Sequence, residues 1–150
     1  MRAACHVDIE ASPKAVWAVV TDIENAAKTI KAIEKIEILE MPKTKLVGLK
    51  WRETRTMFGK TATEVIWITG AAEASHYETR AESHGSIYKT RVSLQQDDGG
   101  TRLQMEFEGM PVTFGAKLIW GLVGFMFKGA TRKALQKDLE DIKKKVEAKN

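Results

Sequence analysis

Leu118-Ile119-Trp120-Gly121-Leu122-Val123-Gly124-Phe125-Met126-Phe127 is apolar all round, and it lies in the longest helical stretch of the chain. No proline recurs after Pro111, and Phe114 to Val146 reads as one helix with two unlike halves. The second half is amphipathic: Leu135, Leu139, Ile142 and Val146 recur at helical spacing among lysines and acids. Such a helix, roughly 45–50 Å long at about 1.5 Å per residue, cannot bury itself alone. Almost everything else reads as strands, so a long helix laid against a sheet is the expected architecture. Glycines and large apolar residues fall where the two would meet, which predicts an enclosed apolar pocket between them.

Upstream of that helix the punctuation is that of a sheet. Cys5, Val7 and Ile9 alternate with His6, Asp8 and Glu10, which predicts a half-buried first strand. Ser12 and Pro13 predict a helix start, as N-cap and first helical residue. Val16, Val19, Val20 and Ile23 give that helix an apolar stripe, and a second short helix is expected around Glu24 to Ile30. Further strands are expected over Ile33–Met41, Leu46–Phe58, Thr61–Thr69, Ala74–Glu82, Ser86–Gln95 and Thr101–Glu108. Turns fall at Gly59-Lys60, His84-Gly85 and Asp97-Asp98-Gly99-Gly100. Antiparallel strands with helices segregated from them indicate an α+β fold. With 150 residues and no repeat, low-complexity segment or linker, 1–150 is expected to be a single domain.

The net charge is +4, and much of the excess sits in the last helix at Lys128, Arg132, Lys133, Lys137 and Lys143-Lys144-Lys145. Cations near a helix C-terminus are favoured by its dipole, so a solvated face is the simplest account. A transient contact with an anionic membrane through this lysine-rich helix stays open beside it. The basic residues form no recognisable nucleic-acid module, so no nucleic-acid partner is expected. A single cysteine, Cys5, excludes an internal disulfide and fits a reducing compartment. Met1-Arg2-Ala3-Ala4 leads into strand-like alternation rather than an apolar run, so no signal peptide is expected and a cytoplasmic location is the default. The ten-residue apolar run is about half of what a membrane span needs. Nothing in the pattern specifies an oligomeric state.

The central hairpin carries the polar chemistry. With Gly59-Lys60 as a two-residue turn, Met57 faces Ala62, Arg55 faces Glu64, Glu53 faces Ile66 and Trp51 faces Ile68. That face is the more apolar one, so it should look inward, and it takes Glu53, Arg55 and Glu64 with it. Buried charges must pair or meet water, and Arg55 opposite Glu64 supplies a pair. Two carboxylates around one guanidinium leave a negative charge over. This describes either a cross-strand ion pair at a wet sheet margin or a cluster that orients a ligand.

Gly115, Gly121, Gly124 and Gly129 punctuate the apolar half of the long helix. They indicate either tight packing or a kink near Gly121, or else a pocket wall or gate. The histidines His6, His76 and His84 show no metal-ligand spacing. No GxSxG, phosphate-cradling loop or dinucleotide fingerprint is present, so neither a metal nor a cofactor is expected. Tyr77 and Tyr88 fall on the apolar phases of their strands, as core residues or as hydroxyls offered to a ligand.

Val7-Asp8-Ile9-Glu10-Ala11-Ser12-Pro13-Lys14-Ala15-Val16-Trp17 with Thr21-Asp22 resembles the opening of the START-like (SRPBCC) superfamily. Val47-Gly48, the turn before Gly100-Thr101-Arg102-Leu103, and the terminal helix around Leu135, Leu139 and Ile142 fit as well. The likeness spans nearly the whole chain, and within the superfamily it is strongest to the polyketide cyclase/dehydrase and lipid-transport group. The resemblance implies a helix-grip fold, a seven-stranded curved antiparallel sheet wrapped around the C-terminal helix, with two short helices closing one end. It also implies a cavity for lipids, polyketides, sterols, isoprenoids or similar molecules. It transfers no catalytic residue, and so implies binding ahead of catalysis.

The expected function is binding of a small hydrophobic ligand. Trp51, Met57, Ile66, Ile68, Leu103, Met105, Phe107, Leu118, Leu122 and Met126 would form the apolar walls. Glu53, Arg55, Glu64 and Tyr88 would fix a polar head. The alternative is a cyclase or dehydratase in which Glu53 or Glu64 acts as general base or acid and Arg55 steadies an enolate.

Overall fold

The structure is a computed structural model that describes every residue except Lys45, Phe58 and Asn150. Strand β1 (Arg2–Ile9) is followed by helix α1 (Pro13–Val20), a 3-10 turn at Ile23–Asn25 and the short helix α2 (Ala26–Thr29). Strands β2 (Ile33–Glu40), β3 (Lys50–Met57), β4 (Lys60–Ala72), β5 (His76–Ser83), β6 (Ser86–Asp97) and β7 (Gly100–Pro111) come next, and α3 (Phe114–Ala148) ends the chain. The strands form one antiparallel sheet in the order β1-β7-β6-β5-β4-β3-β2. The first two strands therefore sit on opposite edges, and α1 and α2 span the distance between them. This is a helix-grip fold.

Local chemistry explains the element starts. The Ser12 hydroxyl accepts from the Ala15 N–H at 3.2 Å, and Pro13 opens α1 without an orphaned donor. Thr113 caps α3 in the same way, accepting from the Ala116 N–H at 3.2 Å. The strand expected from Leu46 begins only at Lys50, because Leu46–Leu49 form a turn in which Gly48 adopts φ +93°. The expected end of that strand, Phe58, lies outside the described residues.

The central hairpin differs from expectation in register. Met57 pairs with Lys60, Arg55 with Ala62, Glu53 with Glu64 and Trp51 with Ile66. The turn is centred one position earlier, and Gly59 takes its second loop position at φ +77°, a conformation that favours glycine. The slip is two residues, the period of a strand, so every side chain keeps its face. Glu53, Arg55 and Glu64 remain inward, but Arg55 no longer lies opposite Glu64.

The core is formed by the inner sheet face and the second half of α3. Ile9, Val16, Ile68, Leu103, Leu139 and Val146 are fully buried there, and the Thr101 hydroxyl donates to the Ala11 carbonyl at 2.8 Å. Tyr77 is a core residue too: its hydroxyl donates to the Val20 carbonyl at 3.1 Å. The α3 helix packs chiefly on β1 and β7 and runs unbroken through its four glycines. A Cβ added at Gly115, Gly121, Gly124 or Gly129 would meet nothing within 4 Å, so these are not points of tight packing. The close approach is made on the strand instead. A Cβ at Gly109 would lie 2.4 Å from the Trp120 ring, so the glycine makes the notch in which that indole sits.

The first half of α3 therefore touches the sheet through Ala116 and Trp120, and its opposite side faces out. Leu118, Leu122 and Met126 are 58%, 71% and 64% exposed. The expectation that they wall an enclosed pocket is corrected: seating Trp120 against Gly109 turns them away from the sheet. Replacing Leu139 by Ala should thus cost about 2–5 kcal/mol in urea unfolding, as for buried leucines generally. Leu122→Ala should stay within about 0.5 kcal/mol of the wild type. Similar losses for the two would show that the first half of α3 is packed after all.

Candidate functional site

Three charged side chains meet beneath the open half of the inner sheet face. The Arg55 guanidinium on β3 grips Asp138 on α3 through a hydrogen bond from Nη1 to Oδ1 at 3.2 Å and an ion-pair contact between Nη2 and Oδ2 at 2.9 Å. Its Nε donates to Glu53 Oε2 at 2.9 Å. The other Glu53 oxygen accepts from Trp51 Nε1 at 3.2 Å. Burial alone would push the Arg55 guanidinium down, but the charges of Asp138 and Glu53 outweigh it and hold the group firmly protonated. Burial pushes the Asp138 carboxyl up, against the pull of Arg55. A second buried acid of α3, Asp141, accepts from the Lys31 N–H at 3.0 Å and fixes the loop after α2.

Asp138 and Asp141 were not among the expected site residues. Asp138 had a signal in the pattern, because it sits inside the apolar stripe of Leu135, Leu139 and Ile142. A carboxylate on a buried helix face needs a partner from elsewhere in the fold.

Glu64 is left over from this triad. It is half-buried on the inner face, and no hydrogen bond to its carboxyl occurs among the described residues. Burial raises its pKa above the ordinary 4.5, and the neighbouring Glu53 adds to the rise, while His84 and Arg55 oppose it. Ionised, the group accepts hydrogen bonds; protonated, it donates one.

Beside it runs an aromatic wall. Tyr88 stacks on Phe107 with ring centroids 5.7 Å apart and lies 6.3 Å from Trp120, which in turn stacks on Phe127 at 6.1 Å. Burial raises the Tyr88 phenol, a hydrogen bond with Ser86 lowers it, and the charge of Glu64 raises it further. Ile66, Tyr88 and Phe107 on the inner sheet face, and Trp120 of α3 against them, are only half-buried. The inner surface here is an open trough rather than a closed hollow.

The expected site residues thus separate into groups. Trp51, Ile68, Leu103 and Met105 are buried in the close-packed core. Glu53 and Arg55 form the polar floor with Asp138. Glu64, Ile66, Tyr88 and Phe107 share the trough. Met57 lies exposed near the hairpin tip, and Leu118, Leu122 and Met126 lie on the outer side of α3. Depressions also occur off the inner face. One, of about 660 Å³, is on the outer sheet face among ion-paired side chains such as Arg2, Glu78, Arg91 and Glu108. The second, of about 270 Å³, lies between the end of α1 and β2.

This chain belongs to the polyketide cyclase/dehydrase and lipid transport family, whose model matches residues 2–147. Solved structures share the fold. The protein TTHA0849 of Thermus thermophilus is 15% identical, with a TM-score of 0.83 over 100% of this chain and 99% of that one. A START superfamily protein of Mycobacterium smegmatis is 17% identical, with a TM-score of 0.80 over 99% of both chains. The Zhui aromatase/cyclase of a Streptomyces species is 16% identical, with a TM-score of 0.76 over 99% of this chain and 94% of that one. At such identities the likeness is one of fold. No curated protein sequence matches the chain. Among the described residues no helix is long and apolar enough to cross a membrane.

The raised Glu64 makes a signed prediction. A carboxyl whose pKa is raised on folding adds stability that is full below 4.5 and is lost as pH rises through its folded value. Glu64→Gln should therefore melt above the wild type at pH near 8, with the gap closing on acidification. A gap that stays constant with pH would contradict the assignment.

Proposed function

We propose that residues 1–150 act as one ligand-binding domain that holds a small hydrophobic molecule in the inner trough. The apolar body would lie along Ile66, Tyr88, Phe107 and Trp120, and a hydroxyl or similar donor would meet Glu64. The observation that carries this reading is the half-buried Glu64 carboxyl, with no protein donor among the described residues, beside an incompletely covered aromatic wall. Pockets of this make-up, mostly apolar with a few convergent polar groups, are the usual ones for small ligands. The family description supports the ligand class, naming polyketide chemistry and lipid transport. Arg55 and Glu53 are engaged with Asp138 and Trp51, so they would shape the floor rather than grip the ligand. The lone Cys5 fits a reducing compartment such as the cytoplasm.

A second reading is enzymatic, a cyclase or dehydratase with Glu64 as proton carrier. Its support is the carboxyl held above its ordinary value, the condition under which it can still carry a proton as pH rises. The solved Zhui aromatase/cyclase shares the fold.

Native mass spectrometry of freshly purified protein, with extraction of whatever co-purifies, tests the binding reading. A bound apolar molecule bearing a hydroxyl is expected, and Glu64→Gln should weaken its binding about tenfold, the loss of one charge-assisted hydrogen bond. An empty protein that also ignores a panel of lipids and aromatic polyketides would overturn it. Intact affinity in Glu64→Gln, with turnover of a polyketide-like substrate abolished, would establish the enzymatic reading instead.

A further inference from the structure

The outer side of the first half of α3 is the least expected surface of the molecule. Phe114 is 83% exposed, Phe125 79%, Leu122 71%, Met126 64%, Ile119 59% and Leu118 58%. At about 100° per residue these six side chains span an arc of roughly 140° on one side of the helix. Monomeric soluble proteins rarely leave contiguous apolar patches of more than a few hundred Å² in water, and a larger one marks an interaction surface. The patch has a charge frame as well. Lys117 and Lys128 run along one edge, Arg132 continues that edge one turn further on, and Lys133 lies beyond the C-terminal end of the patch; all four are exposed. No acidic residue occurs from Gly109 through Lys137.

We infer that this face docks on an anionic lipid bilayer, with Phe114, Leu118, Leu122 and Phe125 entering the acyl boundary and the four cations meeting headgroups. Charge selects the occupant. A second copy of the same face would bring Lys and Arg edges together with no carboxylate to meet them, which opposes pairing. A bilayer with negative headgroups offers apolar depth and opposite charge in one surface, as amphipathic interfacial helices require. The lysines at 143–145 are a poorer anchor, because that half of α3 carries none of the large exposed apolar side chains. Docking here sets the aromatic wall of the trough, through Trp120 and Phe127 on the same half-helix, close to the lipid surface.

Flotation of the full-length chain with phosphatidylcholine vesicles containing or lacking phosphatidylglycerol tests this. Binding is expected only to the phosphatidylglycerol vesicles, and weaker at high salt. Phe125→Glu with Leu122→Glu should reduce flotation roughly tenfold with an unchanged Tm. Lys128→Glu with Arg132→Glu should do the same through the charge route. Three results would overturn the inference: no flotation of the wild type, flotation unaffected by the Phe125 and Leu122 changes, or a wild-type dimer that those changes turn into a monomer.

Discussion

Arg55 reaches from β3 to α3 and joins the two layers of the fold through Asp138. Around it the partners form a closed set: Trp51 holds Glu53, Glu53 holds the guanidinium Nε, and Asp138 takes both terminal nitrogens. A guanidinium taken out of water is tolerated only when its donors are met in this way. Because the triad satisfies itself, the next inward carboxyl along the sheet, Glu64, finds no hydrogen-bond partner among the described residues. The polar character of the trough is thus a consequence of how the floor beneath it is completed.

The same helix serves two purposes along its length. From Leu135 onward it is an ordinary amphipathic helix, buried on one side by β1, β7 and α1. Before Gly129 it meets the sheet mainly where Trp120 enters the notch at Gly109, and the remaining apolar side chains face outward. Burial of an apolar face normally drives a helix onto its sheet. Here the first half carries more apolar surface than the sheet covers, and the surplus takes up the outer side. That surplus leaves the trough incompletely covered and the outer face exposed.

Much of the fold was legible in the sequence because its signals are local. Alternation at Cys5, Val7 and Ile9, the Ser12-Pro13 cap and the Asp98-Gly99 turn each depend on neighbours a few residues away. The hairpin register was not legible, since moving the Gly59 turn by one position preserves every face and leaves the pattern unchanged. That shift is why Arg55 meets Asp138, eighty-three positions distant, rather than Glu64. The direction of Leu118, Leu122 and Met126 was equally hidden. A stretch that is apolar all round has no period to say which side is buried, and the deciding contact is a glycine on another element. Asp138 was the missed signal that could have been read, as an acid within an apolar helical stripe.

A double-mutant cycle on Arg55 and Asp138, followed by urea unfolding at neutral pH, tests the joining of the two layers most directly. Arg55→Met alone should cost about 3–5 kcal/mol, because it leaves buried carboxylates unpaired. The double variant Arg55→Met with Asp138→Leu should lose no more than Arg55→Met alone, since the second change removes a carboxylate that the first has stranded. Losses that simply add would mean that Arg55 and Asp138 act independently and that the sheet and helix are not tied through this pair.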